Sequence, residues 1–208
     1  AQDWGDDPGT AKEKYALFTD SYSAKNYPEA RLHLDWLLEH TPNLNEDLYT
    51  KGVKVYEKIE KAEKDKAAKL ILQDKVLNLY DLRIEHKLYT DEGDVLKRKG
   101  RRAYPYLISR ADGKSKIGEL YTLYNRIHEL NGTKNLRSNL TYLMDLTCRK
   151  GKAGDFTDDQ VLAQYESIVK VIETNIADPK EAKKVSKWES CKASIDGLML
   201  KRSRPFLS

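Results

Sequence analysis

Apolar residues recur along this chain at intervals of three and four. Tyr15, Phe18 and Tyr22 share one face of a helix, and Ala30, Leu34, Leu37 and Leu38 form the next stripe. A third runs through Leu48, Gly52, Val55, Tyr56 and Ile59, and a fourth through Ala68, Leu72, Val76, Leu79 and Leu82 towards His86. Leu96, Gly100, Ala103 and Leu107 mark a fifth, and Ile117, Leu120, Tyr121, Tyr124 and Ile127 a sixth. Leu136, Leu140, Leu143, Met144 and Thr147 give the seventh. The eighth has Val161, Tyr165, Ile168, Ile172 and Ile176, and the ninth Val185, Trp188, Ile195 and Met199. No stretch alternates apolar and polar residues for long enough to predict a strand. The pattern predicts an all-α chain of about nine helices.

Breakers and caps punctuate these stripes. Thr10 and Glu13 have capping-box spacing, as do Thr157 and Gln160. Pro28 suits the first turn of the second helix, and Pro42 ends it. Pro105 should kink or shorten the fifth helix. "RADGKS" at 110–115 reads as a turn, and Asn131-Gly132 as a C-cap. The glycines at 151 and 154 stop the seventh helix, and Asp178-Pro179 starts the last. After a flexible arm over 1–9, hairpins are expected near 10–42, 45–89, 91–132 and 135–176. A final helix at 178–200 and a basic tail at 201–208 follow. Short links leave each pair unable to bury its stripe alone, so neighbouring pairs must stack.

The first pair resembles a tetratricopeptide repeat over residues 12–42. Tyr27 starts the second helix, Ala30 is the small residue three positions on, Pro42 closes the repeat, and Leu17 takes the first helix's large apolar position. Phe18 departs from the family's small residue, whereas Gly52 and Gly100 suit that position in the next two hairpins; the fourth has Met144. The resemblance is degenerate beyond residue 42. It implies a right-handed α-solenoid whose first helices line a concave groove, with HEAT-type arrays as the alternative fold. In that register Lys12, Tyr15, Thr19 and Tyr22 line the groove from the first repeat. Tyr49, Val53 and Tyr56 follow from the second, and Lys97, Arg101 and Tyr104 from the third, with Tyr22, Tyr56 and Tyr104 equivalent. Carboxylate-clamp members of the family carry lysine and asparagine where Tyr15 and Thr19 stand, so the resemblance implies a more aromatic groove. The alternative fate of the tyrosines is packing between helices.

Composition agrees with a surface-rich helical array: 34% of the residues are charged and 39% hydrophobic. A net charge of +4 from 37 basic and 33 acidic residues is a near-balanced surface, not a nucleic-acid binder's field. "KRKGRR", Lys97 to Arg102, is the densest cluster, yet a helix spreads it around its axis. No apolar run reaches the ~20 residues of a membrane span. Cys148 and Cys191 make neither a zinc pattern nor a redox pair; two buried thiols and one disulfide both remain open.

Catalytic signatures are scarce. The four histidines, at 33, 40, 86 and 128, are scattered, and "DGKS" at 112–115 has Ile108 where a phosphate loop needs glycine. No Gly-x-Ser-x-Gly elbow exists. Asn131-Gly-Thr133 and Asn139-Leu-Thr141 match glycosylation sequons. The expectation is a non-enzymatic scaffold without metal or cofactor that binds a protein or peptide in a concave groove. A structural subunit of an envelope assembly, or a basic module touching RNA or anionic lipid through Lys97–Arg102, are the alternatives. The general character resembles exported bacterial repeat proteins, which implies a periplasmic or exported location, with a cytoplasmic one as the alternative. The oligomeric state is not legible.

Overall fold

A computed structural model describes residues 2–203 (all but the side chain of Ser203), so Arg204, Phe206 and Leu207 of the expected tail lie outside the described residues. Every regular element among the described residues is helical: α1 (Pro8–Ser23), α2 (Tyr27–His40), α3 (Asp47–Ala62), α4 (Lys66–Glu85), α5 (Glu92–Leu107), α6 (Ile117–Asn131), α7 (Arg137–Lys152), α8 (Asp158–Ala177) and α9 (Val185–Ser203). The chain divides into two compact units, residues 1–95 and 96–208, with the division inside α5.

In the first unit each helix packs on the next: α1 on α2, α2 on α3 and α3 on α4. Phe18, Ala30, Leu34, Leu37, Leu48, Val55 and Leu79 are buried between them. Gly52 marks a close approach between helices. A Cβ there would lie 3.2 Å from a Leu34 methyl and 3.5 Å from Leu79, so this glycine sits where α2, α3 and α4 come together.

The helix starts differ from expectation at the first and agree at the second. Asp7, not Thr10, caps α1: its carboxylate accepts the Thr10 amide at 3.1 Å, and Pro8 fills the first turn. Within the stretch expected as a flexible arm, Trp4 packs edge-on against Tyr15 of α1 at 5.8 Å between ring centres. Gly5 makes that path possible. It adopts a positive φ of 66°, and a Cβ would meet the His40 carbonyl oxygen at 2.8 Å. Asn26 caps α2, with Pro28 in the first turn as expected.

In the second unit α7 is central and packs on α6, α8 and α9, while α8 also packs on α9. Leu120, Ile127, Leu140, Leu143, Met144, Ile168, Ile172 and Ile195 are buried there. α5 runs through Pro105 as far as Leu107. The proline falls in the last turn, and just before it the Tyr124 hydroxyl enters the backbone ladder. That hydroxyl accepts the Tyr104 amide at 2.8 Å and donates to the Gly100 carbonyl. A buried side chain thus satisfies the groups opened ahead of the proline. Gly100 is again a small-residue crossing: a Cβ would meet Ile127 at 2.7 Å and Asn139 at 3.0 Å.

Thr157 and Gln160 form the expected reciprocal capping box of α8. The last segment begins as a 3-10 turn over Pro179–Lys184 before α9 starts at Val185, a division that periodicity did not signal. "DGKS" is indeed a turn, with Gly113–Lys116 in 3-10 form. Cys148 and Cys191 are free and buried, which settles the two readings left open. Asn131 and Asn139 are buried with side-chain amides donated to the Ile127 and Lys97 carbonyls, so neither sequon is presented.

Candidate functional site

The four residues expected from the first repeat share a face of α1. Lys12 is exposed and Tyr15, Thr19 and Tyr22 are half-buried. Thr19 returns its hydroxyl to the Tyr15 carbonyl at 2.9 Å, so it contributes no free donor. The rings form a continuous line, Trp4–Tyr15–Phe18–Tyr22–Tyr27, with centroid separations of 5.8, 6.4, 6.3 and 6.3 Å, edge-to-face at its two ends and tilted in the middle. Only Phe18 of that line is buried completely.

Cations flank the line. The Lys12 ammonium stands 5.8 Å from the Trp4 ring centre. From α3, Lys51 and Lys54 stand 5.9 and 5.3 Å from the centre of Tyr22. Lys51 also pairs with Asp47 at 2.7 Å, which raises its pKa. The first helices of two successive hairpins therefore meet across Tyr22, and their shared surface combines aromatic area with positive charge.

The second-repeat residues do not join this surface. Tyr49, Val53 and Tyr56 are only 1%, 6% and 2% exposed, so they belong to the core of the first unit, not to a groove. The reason is visible in their partners. Tyr49 donates to the Pro42 carbonyl at 2.8 Å, and Tyr56 donates to the Asp35 carboxylate on α2. Each hydroxyl thus finds an acceptor without reaching solvent. Burial pushes Tyr49 up to about 12 and raises Tyr56 further, with the Asp35 hydrogen bond adding to the latter. Tyr22 and Tyr56 are accordingly not equivalent.

In the second unit Tyr104 is half-buried, stacked on Tyr142 at 4.4 Å and donating to Asp145 at 2.6 Å. Burial, then Asp145, pushes it up to about 12. It is held by this network and is not a free anchor. Lys97 is half-buried, and its carbonyl accepts from Asn139. Arg102 is half-buried, donating to the Arg98 carbonyl at 3.2 Å, and burial lowers its pKa. Arg101 is exposed and lines a cleft of about 560 Å³ with Lys134, Asn135, Arg137, Lys184 and Trp188. The basic run therefore scatters, and its exposed Arg101 joins cations remote in sequence. Periodicity could not find that cleft. The one local signal was Leu136 at the head of α7, where a capping side chain is usual, flanked by Lys134 and Arg137.

A smaller hollow of about 300 Å³ is lined by Tyr121, Phe156, Gln160, Gln164 and Ser167. His128 makes a 2.8 Å hydrogen bond to the Ser167 hydroxyl. Its other ring nitrogen is buried without a partner, so no acceptor orients the ring as a general base requires. Burial also lowers its pKa, which suits a neutral packing residue. Among the described residues no group of three metal-ligating side chains converges. No described helix is long and apolar enough to cross a membrane.

Comparison with family models, with curated proteins and with solved structures gives no match.

Proposed function

We propose that the chain is a non-enzymatic, tetratricopeptide-like helical scaffold that holds an acidic, aromatic-containing segment of a protein partner on the α1/α3 face of its first unit. The observation that carries this reading is Tyr22, half-exposed on α1 with two lysines of α3 over its ring. Trp4, Lys12 and Tyr15 extend the same combination along α1. Rigid rings supply contact area at small entropic cost, and the ammonium groups select carboxylates. The burial of Ala30 and the close crossing at Gly52 favour the stacked-hairpin interpretation, since both fall where the resemblance requires small residues.

The test is a random-peptide display selection on the folded protein. Selected peptides should be rich in Asp, Glu and aromatics. Tyr22→Ala should weaken the best of them at least tenfold, roughly 1.4 kcal/mol. Peptides without acidic residues, or binding indifferent to Tyr22→Ala, would reject the assignment. The alternative of a structural subunit draws on Leu200, exposed on α9. Self-association that rises with concentration and disappears in Leu200→Glu would favour it.

A further inference from the structure

The cleft of the second unit is a positively charged hollow at a helix start, and it stands independently of the α1/α3 face. Arg101, Lys134, Arg137 and Lys184 bring four cations to it against one carboxylate, Glu181. Glu181 is already engaged: it accepts from Lys184 at 2.9 Å and from the Trp188 indole at 3.1 Å. The Arg137 guanidinium lies 5.3 Å from the Trp188 ring centre, held over its face. The cleft therefore carries positive charge in excess, with one of its arginines pre-positioned.

Two further features point to an anionic occupant. First, α7 starts at Arg137 with Leu136 in the cap position and no side-chain cap, and Leu136, Arg137 and Ser138 all line the cleft. The first-turn amides and the helix dipole thus face it without an acceptor from the protein. Second, Asn135 also lines the cleft and is 4% exposed, yet its Nδ2 has no hydrogen-bond partner. Its orientation is fixed, because Oδ1 accepts the Leu136 amide at 2.8 Å, so the orphan atom is a donor. A buried donor without an acceptor is costly, and a bound oxyanion removes that cost.

We infer that this cleft binds a phosphate group, of the phosphate monoester class. Four cations, one orphan amide donor and a set of helix-start amides exceed what a single carboxylate can accept. A dianion with three equivalent terminal oxygens uses them better. Arg137 and Arg101 supply planar forks, Lys134 and Lys184 point charges, and Asn135 the neutral donor that fixes the group against the start of α7.

Isothermal titration with inorganic phosphate and glycerol 3-phosphate at constant ionic strength tests this. Acetate serves as the monoanionic control, and vesicles of phosphatidylcholine with phosphatidic acid as the membrane-borne arm. One saturable site is expected for phosphate, at least tenfold tighter than for acetate. Asn135→Asp keeps the oxygen that accepts the Leu136 amide but replaces the orphan donor with negative charge. It should weaken phosphate at least tenfold while leaving the thermal midpoint unchanged or higher. Arg137→Gln should weaken it similarly. Binding of the soluble ester alone identifies a free phosphorylated molecule as the source. Vesicle binding that is lost in Asn135→Asp identifies a headgroup. No binding in either arm, or binding unaltered by both substitutions, overturns the inference. None of these outcomes bears on Tyr22, so failure here is distinguishable from failure of the α1/α3 assignment.

Discussion

Replacing Tyr56 and Tyr22 by alanine separates a core tyrosine from a surface one. Tyr56 is 2% exposed between α2 and α3, and truncating a buried aromatic costs about 3–5 kcal/mol. Its hydroxyl is bonded to Asp35, but that carboxylate side chain is 39% exposed and recovers water, so the lost hydrogen bond adds about 1 kcal/mol at most. Against a total stability of about 5–15 kcal/mol this is a large fraction. For a chain of this length each kcal/mol shifts the midpoint by about 2–4 °C, so a loss of about 3–6 kcal/mol in Tyr56→Ala should lower it by about 6–24 °C. Tyr22 is half-exposed and loses only ring-edge and cation contacts, so Tyr22→Ala should cost about 1 kcal/mol. Urea titration followed by circular dichroism measures both. A Tyr56→Ala protein within about 0.5 kcal/mol of the parent would refute the core placement. A Tyr22→Ala protein as damaged as Tyr56→Ala would refute the surface one.

Other expectations follow from single contacts. Gly100→Ala places a methyl 2.7 Å from the Ile127 terminus and should cost about 1–3 kcal/mol, part of which Ile127→Val restores; an unchanged midpoint would contradict the close crossing. Tyr124→Phe leaves the Tyr104 amide and the Gly100 carbonyl without their bridging hydroxyl and should destabilise by about 1–3 kcal/mol in the same titration. Tyr49 and Tyr104 ionise near 12 when folded, against about 10 when unfolded. Above pH 10 the unfolded chain binds fewer protons, so the stability these two contribute is intact below pH 10 and declines up to about pH 12. Phenolate absorbance should accordingly rise together with the loss of helical circular dichroism. Burial raises the pKa of both thiols, so Cys148 and Cys191 should resist a thiol reagent until denaturant is added.

Helix positions were legible because each stripe keeps a 3.6-residue period over several turns, as between Val161 and Ile176. Helix starts were less so. Asp7 and Thr10 are both good caps, and Pro8 decides between them by fitting the first turn. Periodicity placed Tyr49, Val53 and Tyr56 on one side of α3 but could not tell whether that side meets solvent or α2 and α4. The deciding partners, Asp35 and the Pro42 carbonyl, come from the preceding helix and its exit loop. Pro105 was legible as a disturbance of α5, but not the Tyr124 hydroxyl, distant in sequence, that bridges the Tyr104 amide and the Gly100 carbonyl ahead of it. The basic cleft was invisible because Arg101, Lys134, Arg137 and Lys184 meet only through packing around α7.

The α1/α3 assignment is tested most directly by mapping backbone-amide chemical shifts as a selected acidic peptide is titrated into the intact protein. Shifts concentrated around Trp4, Lys12, Tyr15, Tyr22, Lys51 and Lys54 are the outcome this account requires. Shifts confined to residues 96–203, with α1 and α3 unperturbed, would contradict it.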